Sequence, residues 1–112
     1  KPVLEEYDYN LKETENVYVR ARLFVYGQVQ DVGFRQTAVE KAQEWDIYGW
    51  IRNRNDGRVE ALIVGQKDKY NKMIEWLKQG PEGANVEKVD ILTSEEINYN
   101  PFEEKLKVNP TI

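Results

Sequence analysis

The stretch of the sequence most suggestive of chemistry is GQVQDVGFR, residues 27–35, in which two glycines bracket a short polar run. Glycine permits tight turns and lets a ligand approach the backbone closely. If a helix begins near Gly33, its first N–H groups lack partners within the helix and favour an anion. Arg35, in the first turn, can offer a planar guanidinium to a phosphate. The stretch predicts an anion-binding loop, and the alternative is a plain turn followed by a solvated arginine.

A second polar residue, Asn53, ends an apolar alternation. In IYGWIRN, residues 47–53, Asn53 shares a face with Ile51, which is expected to look toward the helices. An amide at that point either caps or positions something, or simply belongs to the Asn-rich turn that follows. The periodicity alone does not decide between these two roles.

The residue types that are missing narrow the chemistry. The chain has no His and no Cys. The usual zinc and transition-metal ligand sets therefore cannot form, and neither can Ser-His or Cys-His nucleophile pairs. Catalysis would have to use carboxylates, amides, hydroxyls, Lys, Arg or backbone groups.

Composition indicates one ordinary globular domain. The 112 residues are 40% hydrophobic and 32% charged, which fits a single compact core. The net charge of -4 argues against a nucleic-acid partner. No apolar run approaches the roughly 20 residues that span a membrane, and nothing at the N-terminus resembles a secretory signal. A cytoplasmic protein without a membrane partner is expected.

Hydrophobic periodicity predicts the elements. Residues 1–16 have no steady period and many charges, and are expected to form a flexible N-terminal tail ahead of a domain over 17–112. Asn55-Asp56-Gly57 is a strong hairpin signal between the second and third strands. The predicted elements are a strand over 17–26, a helix over 34–45, strands over 47–53 and 58–65, a helix over 66–79, and strands over 86–93 and 102–108.

The order β-α-β-β-α-β, with right-handed crossovers, puts both helices on one face of an antiparallel sheet. We therefore predict an α+β, ferredoxin-like sandwich with a short fifth C-terminal strand at the edge. Three tryptophans are expected to be packing residues: Trp45, Trp50 and Trp76. Three glutamates are expected to be solvated strand positions: Glu60, Glu103 and Glu104.

The string GQVQDVGFR, followed eighteen residues after its arginine by the asparagine of GWIRNRNDGRVEA, resembles the acylphosphatase signature. The resemblance runs from about Tyr18 to Val108 and includes EWL in the second helix and VEKVDI in the fourth strand. It implies hydrolysis of small acyl phosphates to a carboxylate and inorganic phosphate. It also implies that no metal, no cofactor and no covalent phosphoenzyme is needed, and a monomer is expected.

The resemblance assigns roles to individual residues. Arg35 is expected to grip the phosphate, and Asn53 to orient the attacking water. The backbone amides of the loop are expected to cradle the phosphate, and the residues concerned are Gln28, Val29, Gln30, Asp31, Val32, Gly33 and Phe34.

Asp31 departs from the family pattern, which usually has glycine at this position. An inward carboxylate would repel a bound phosphate, whereas an outward one would be screened by water. We expect it to point outward. The alternative is a weakly active or inactive acylphosphatase-like domain that binds anions or a partner. An RNA-recognition domain has the same element order, but its third strand should carry stacking aromatics, and RVEALIVG has none.

Overall fold

The computed structural model describes residues 17–112, so the predicted tail over residues 1–16 lies outside the described part. Seven elements follow one another in the predicted order. They are β1 (Tyr18–Gln28), α1 (Phe34–Trp45), β2 (Tyr48–Asn53), β3 (Val59–Gln66), α2 (Lys67–Gln79), β4 (Asn85–Ile97) and β5 (Lys107–Val108). Within this described range, neither helix combines the length and apolarity that crossing a membrane requires.

The five strands form one sheet in the order β4-β1-β3-β2-β5. Antiparallel pairing joins β4 to β1, β1 to β3, and β3 to β2. The predicted α+β, ferredoxin-like arrangement is thereby confirmed. The edge differs in one respect, because β5 pairs parallel with β2.

Two strand lengths differ from the prediction. The fifth strand was predicted over residues 102–108 but has only two residues. Ahead of them, the chain contacts β2 only through an isolated bridge between Tyr48 and Lys105. β4 runs on to Ile97, beyond the apolar pattern that ends at 93, because β1 offers it partners as far back as Tyr18. For β4, the length of the neighbouring strand decides where pairing ends.

Alternation along β1 produces the buried face on which the helices pack. Val19, Ala21, Leu23 and Val25 are buried and belong to the main core. The helices contribute Phe34, Ala38 and Ala42 from α1, and Tyr70, Met73, Ile74, Trp76 and Leu77 from α2. Burial of each large apolar side chain stabilises the fold by about 1.5–3 kcal/mol, so this layer joins both helices to one face of the sheet.

The tryptophans take different positions. Trp76 is buried and packs on Phe34, with ring centroids 5.3 Å apart. Trp45 is half-buried against the same core. Trp50 lies on the opposite face of the sheet, half-buried, with the Arg52 guanidinium 4.7 Å from its ring centroid. Packing is thus the role of all three, although Trp50 packs against a cation outside the main core.

The prediction that Glu60 is solvated is wrong. Its side chain is fully buried on the face of the sheet opposite the helices, called the open face below. Arg22, Arg52 and Arg54 form ion pairs with it at 2.7–3.1 Å. Alternation correctly assigns Glu60 to the polar side, but three guanidiniums take the place of water there. Glu103 and Glu104 are exposed, though in a bend rather than a strand.

Candidate active site

The loop after β1 begins where that strand leaves β4. Gly27 has a φ of 121°, and a Cβ at this position would collide with the backbone oxygen of Asn85. The β1–β4 register shifts between Tyr26 and Gly27. Glycine at position 27 therefore allows the two backbones to remain close while the chain turns out of the sheet.

The loop itself presents a row of backbone donors. The φ angle is positive at Asp31, 62°, and at Gly33, 73°, but not at Val32 between them. In the described part of the chain, no backbone N–H of residues 29–34 donates to a protein acceptor. Successive residues whose φ angles alternate in sign form a concave nest of N–H groups that binds anions. Because Gly33 is also the N-cap of α1, the helix dipole adds positive potential at the same place.

Gln30 fastens this loop to the hairpin between β2 and β3. Its side-chain Nε2 donates hydrogen bonds to the backbone oxygens of Arg54, at 2.8 Å, and Arg58, at 2.9 Å. The hairpin is braced in turn, since Asp56 accepts from both the backbone and the guanidinium of Arg58. The side-chain hydrogen bond from Arg58 holds the pKa of Asp56 below its ordinary value. The loop is thus supported by a well-connected turn.

Asn53 ends β2 on the helix side of the sheet and is 8% exposed. Its Oδ1 is buried and has no hydrogen-bond partner among the described residues. Its backbone oxygen accepts from the N–H of Ile112 at 3.2 Å. A buried acceptor without a partner costs about 1–3 kcal/mol, so this oxygen indicates a place where a bound molecule supplies the missing donor.

These features meet in one cavity of about 400 Å³, a volume within the range of small-molecule sites. The cavity brings together most of the residues predicted for the site, namely Val29, Gln30, Asp31, Gly33, Phe34, Arg35 and Asn53. Two predicted phosphate-binding residues do not line it. Gln28 is the last residue of β1 and is paired with Asn85, and Val32 packs against the core.

Three further residues line the cavity and were not predicted as site residues: Gln36, Val39 and Val108. Val39 lies four residues after Arg35 in α1, which puts both side chains on one side of the helix. Val108 is supplied by β5, and no sequence signal reveals the parallel pairing that brings it there. Together the two valines give one side of the cavity an apolar wall.

Charge in the cavity is carried by one arginine and one aspartate among its described lining residues. Arg35 is half-buried in the first turn of α1, and its guanidinium has no ion pair within the described chain. Asp31 is exposed at the rim and likewise lacks an ion-pair partner among the described residues. A free guanidinium beside a row of free N–H groups suits a dianion such as a phosphate.

Comparison with known proteins decides the family. The acylphosphatase family profile matches residues 21–104. The chain belongs to the acylphosphatase family. That match contains the whole loop, both helices and the strand that ends at Asn53.

Individual relatives of this acylphosphatase-family chain agree. It is 44% identical over 95 residues to an acylphosphatase of Pyrobaculum islandicum, an alignment that covers 84% of this chain and 97% of the relative. Among solved structures, an acylphosphatase from Coxiella burnetii superposes with a TM-score of 0.71 at 32% identity, covering 87% of this chain and 97% of the other. The acylphosphatase from Bacillus subtilis superposes with a TM-score of 0.68 at 28% identity, covering 84% and 98%.

Proposed function

We propose that the protein is an acylphosphatase that hydrolyses small acyl phosphates to a carboxylate and inorganic phosphate by direct attack of water. The observation that carries this proposal is the unpaired Oδ1 of Asn53, which lines the same cavity as Arg35 and the loop. Membership of the acylphosphatase family supports it.

Binding of the phosphoryl group falls to the loop. The N–H groups of residues 29–34 surround its oxygens, and the Arg35 guanidinium adds a two-pronged, charge-assisted contact. The N–H groups are held by the loop backbone before substrate arrives, so they need little reorganisation as charge develops in the transition state. Phosphoryl transfer depends mostly on positioning and charge stabilisation of this kind.

The attacking water is oriented by Asn53. Its Oδ1 accepts a hydrogen bond from the water, which leaves an oxygen lone pair free to form the new bond to phosphorus. The bond from phosphorus to the acyl oxygen breaks, and the electron pair leaves on the carboxylate. Since a carboxylate is a good leaving group, no protein acid is required. The proton lost by water passes to an oxygen of the substrate itself.

This mechanism needs neither a metal ion nor a covalent phosphoenzyme. The positive charge comes from one guanidinium, the N–H row and the start of α1. All the residues assigned to it belong to one chain, so a monomer suffices for turnover.

The rival function is anion binding with poor turnover. Asp31 is the feature that favours it, because a carboxylate at the rim of the cavity opposes a bound dianion. An exposed carboxylate is screened by water and salt, and for that reason we prefer the enzyme.

The test is release of inorganic phosphate from benzoyl phosphate by the pure protein in the presence of EDTA, with Arg35→Gln as the matched control. We expect rapid turnover by the wild type and nearly none by the control. If wild type and control release phosphate at the same slow rate while binding phosphate differently, the protein is an anion-binding domain. Activity that EDTA abolishes and Mg²⁺ restores would contradict the metal-free mechanism.

A further inference from the structure

Glu60 is a fully buried carboxylate that the proposed reaction does not use. Its Oε1 accepts hydrogen bonds from Arg52 Nε at 2.9 Å and from Arg54 Nη1 at 3.1 Å. Its Oε2 accepts from Arg22, through Nε at 2.9 Å and Nη2 at 2.7 Å. One carboxylate is therefore shared among three guanidiniums, although a single guanidinium would neutralise its charge.

Two of these arginines are sequence neighbours of a proposed site residue. Arg52 and Arg54 are the residues immediately before and after Asn53. Side chains alternate along a strand, so Arg52 lies on the open face while Asn53 faces the cavity. Arg54 follows the last residue of β2, and its contact with Glu60 puts its guanidinium on the open face as well. The β2–β3 register puts Arg52 directly across from Glu60. A single carboxylate oxygen thus holds the chain on both sides of Asn53.

The amide of Asn53 has no comparable support on its own side. Neither its oxygen nor its nitrogen has a hydrogen bond to any other described residue. With no hydrogen bond to fix it, the direction of this buried side chain depends on the packing around it and on the backbone that carries it. That backbone is held by strand pairing, by the bond from Ile112 at 3.2 Å, and by the two anchored neighbours on the open face.

Stability alone is a weak explanation for the cluster. Replacing a buried ion pair by apolar residues is often neutral or stabilising, so a buried carboxylate with three cations is not needed to hold a sheet together. Burial by itself would raise the pKa of Glu60, but hydrogen bonds from Arg22 and Arg52 outweigh it and keep that pKa below its ordinary value. The carboxylate therefore stays charged, and its hold on the arginines persists, at neutral pH.

We infer that Glu60, acting through Arg52 and Arg54, is a positioning residue for Asn53. The carboxylate fixes the end of β2 from the open face, so that Oδ1 meets the attacking water at a constant angle. The inference rests on the role proposed above for Asn53. Arg22 binds the other oxygen of Glu60 from β1 and has no direct link to Asn53.

Arg54→Gln and Arg22→Gln are a matched pair of variants, because each substitution removes one guanidinium from the Glu60 carboxylate. We expect Arg54→Gln to lower kcat for benzoyl phosphate by about 10- to 100-fold, the range for a small displacement of a reacting group. Its affinity for inorganic phosphate should stay within about twofold, since the substitution removes no donor of the loop and keeps the backbone oxygen of residue 54 that Gln30 contacts. Arg22→Gln should change kcat by less than about twofold. Equal losses in the two variants would overturn the inference.

A double-mutant cycle tests whether the effect runs through Asn53. In an Asn53→Ala background, adding Arg54→Gln should change kcat by less than about twofold, because the group being positioned is already gone. If the second substitution costs as much as it does in the wild type, Arg54 acts by another route and the inference fails. Glu60→Gln should behave like Arg54→Gln in both backgrounds.

An NMR measurement separates this inference from the proposed reaction. In the phosphate-bound protein, relaxation of the Asn53 side-chain amide should report greater mobility in Arg54→Gln than in wild type or Arg22→Gln. This readout does not depend on turnover, whereas the proposed function fails only if wild-type protein does not hydrolyse acyl phosphates. An Asn53 amide that is equally ordered in all three proteins would refute the positioning role.

Discussion

The side-chain amide of Gln30 donates a hydrogen bond to the backbone oxygen of Arg54 at 2.8 Å. Gln30 belongs to the proposed phosphate loop, and Arg54 directly follows Asn53. This bond joins the loop proposed to bind the phosphoryl group to the segment proposed to orient water. The distance between the two functions is therefore fixed by a side chain that need not touch the substrate.

Replacing Gln30 by Ala should loosen the loop relative to Asn53. Loss of the two hydrogen bonds should lower the free energy of unfolding by about 1–2 kcal/mol. The Kd for inorganic phosphate should rise and kcat should fall together, because both holding and alignment suffer. Calorimetric phosphate titration and benzoyl phosphate kinetics measure the two effects. Unchanged phosphate affinity would mean that the loop keeps its shape without this tie.

Arg35→Gln should lower kcat/KM by at least about 100-fold, the range for deleting one preorganised charge-stabilising donor. The fold should persist, since Arg35 makes no ion pair in the described chain. Arg35→Lys keeps the charge without the planar fork and should recover only part of the loss. Steady-state hydrolysis of benzoyl phosphate measures all three proteins. Activity of the Gln variant within a few-fold of wild type would remove Arg35 from the mechanism.

Asn53→Ala should lower kcat far more than it raises KM, because the proposed role of the amide is to orient the attacking water and not to bind the phosphate. The variant should fold normally, since the substitution removes an unpaired buried acceptor. Inorganic phosphate should still bind, which calorimetry can measure. A collapse of phosphate affinity would assign Asn53 to shaping the loop instead.

Asp31→Gly tests the departure from the usual family pattern. Because Asp31 is exposed, we expect kcat/KM to change by less than about twofold. Its φ of 62° is easier for glycine, and this gain opposes the larger entropy that glycine gives the unfolded chain, so the stability change should be small. Asp31→Asn removes only the charge and serves as the control. A tenfold or greater improvement in both variants would mean that the carboxylate faces the phosphate.

Acid should destabilise the protein partly through Glu60. Its folded-state pKa is lowered by the arginines despite burial, so its contribution to stability is present above the ordinary Glu pKa of about 4.3. That contribution is lost as pH falls through the lower folded value. Urea unfolding at pH 7 and pH 3 should show a larger drop for wild type than for Glu60→Gln. Equal drops would mean that Glu60 is not ionised in the folded protein.

The loop, Arg35 and Asn53 could be predicted because their signals are local. Glycine positions, the start of a helix and the end of an alternating strand are all visible in short windows of sequence, and the family signature combines them. Val108 could not be predicted, since a two-residue strand owes its place to a partner far away in sequence.

Glu60 illustrates a different limit. Alternation assigns it to the polar side of β3, and exposure is the ordinary consequence of that position. Burial arises from cross-strand neighbours, and only Arg52 follows from the hairpin register. Arg22 belongs to β1 and Arg54 lies just beyond the end of β2. Side-chain reach across three strands decides the environment, and periodicity within one strand contains no information about it.

The contact between Phe34 and Trp76 gives the site an optical reporter. Phe34 lines the cavity, and its ring lies 5.3 Å from that of Trp76, between centroids. None of the three tryptophans lines the cavity itself, but Trp76 packs on Phe34, which does. Changing Trp45 and Trp50 to Phe would leave Trp76 as the single indole, in contact with Phe34 at the end of the proposed phosphate loop. We expect the fluorescence emission of this indole to change when a ligand binds, so that stopped-flow measurements can follow binding without an attached dye. Binding and hydrolysis could then be observed as separate steps of one turnover.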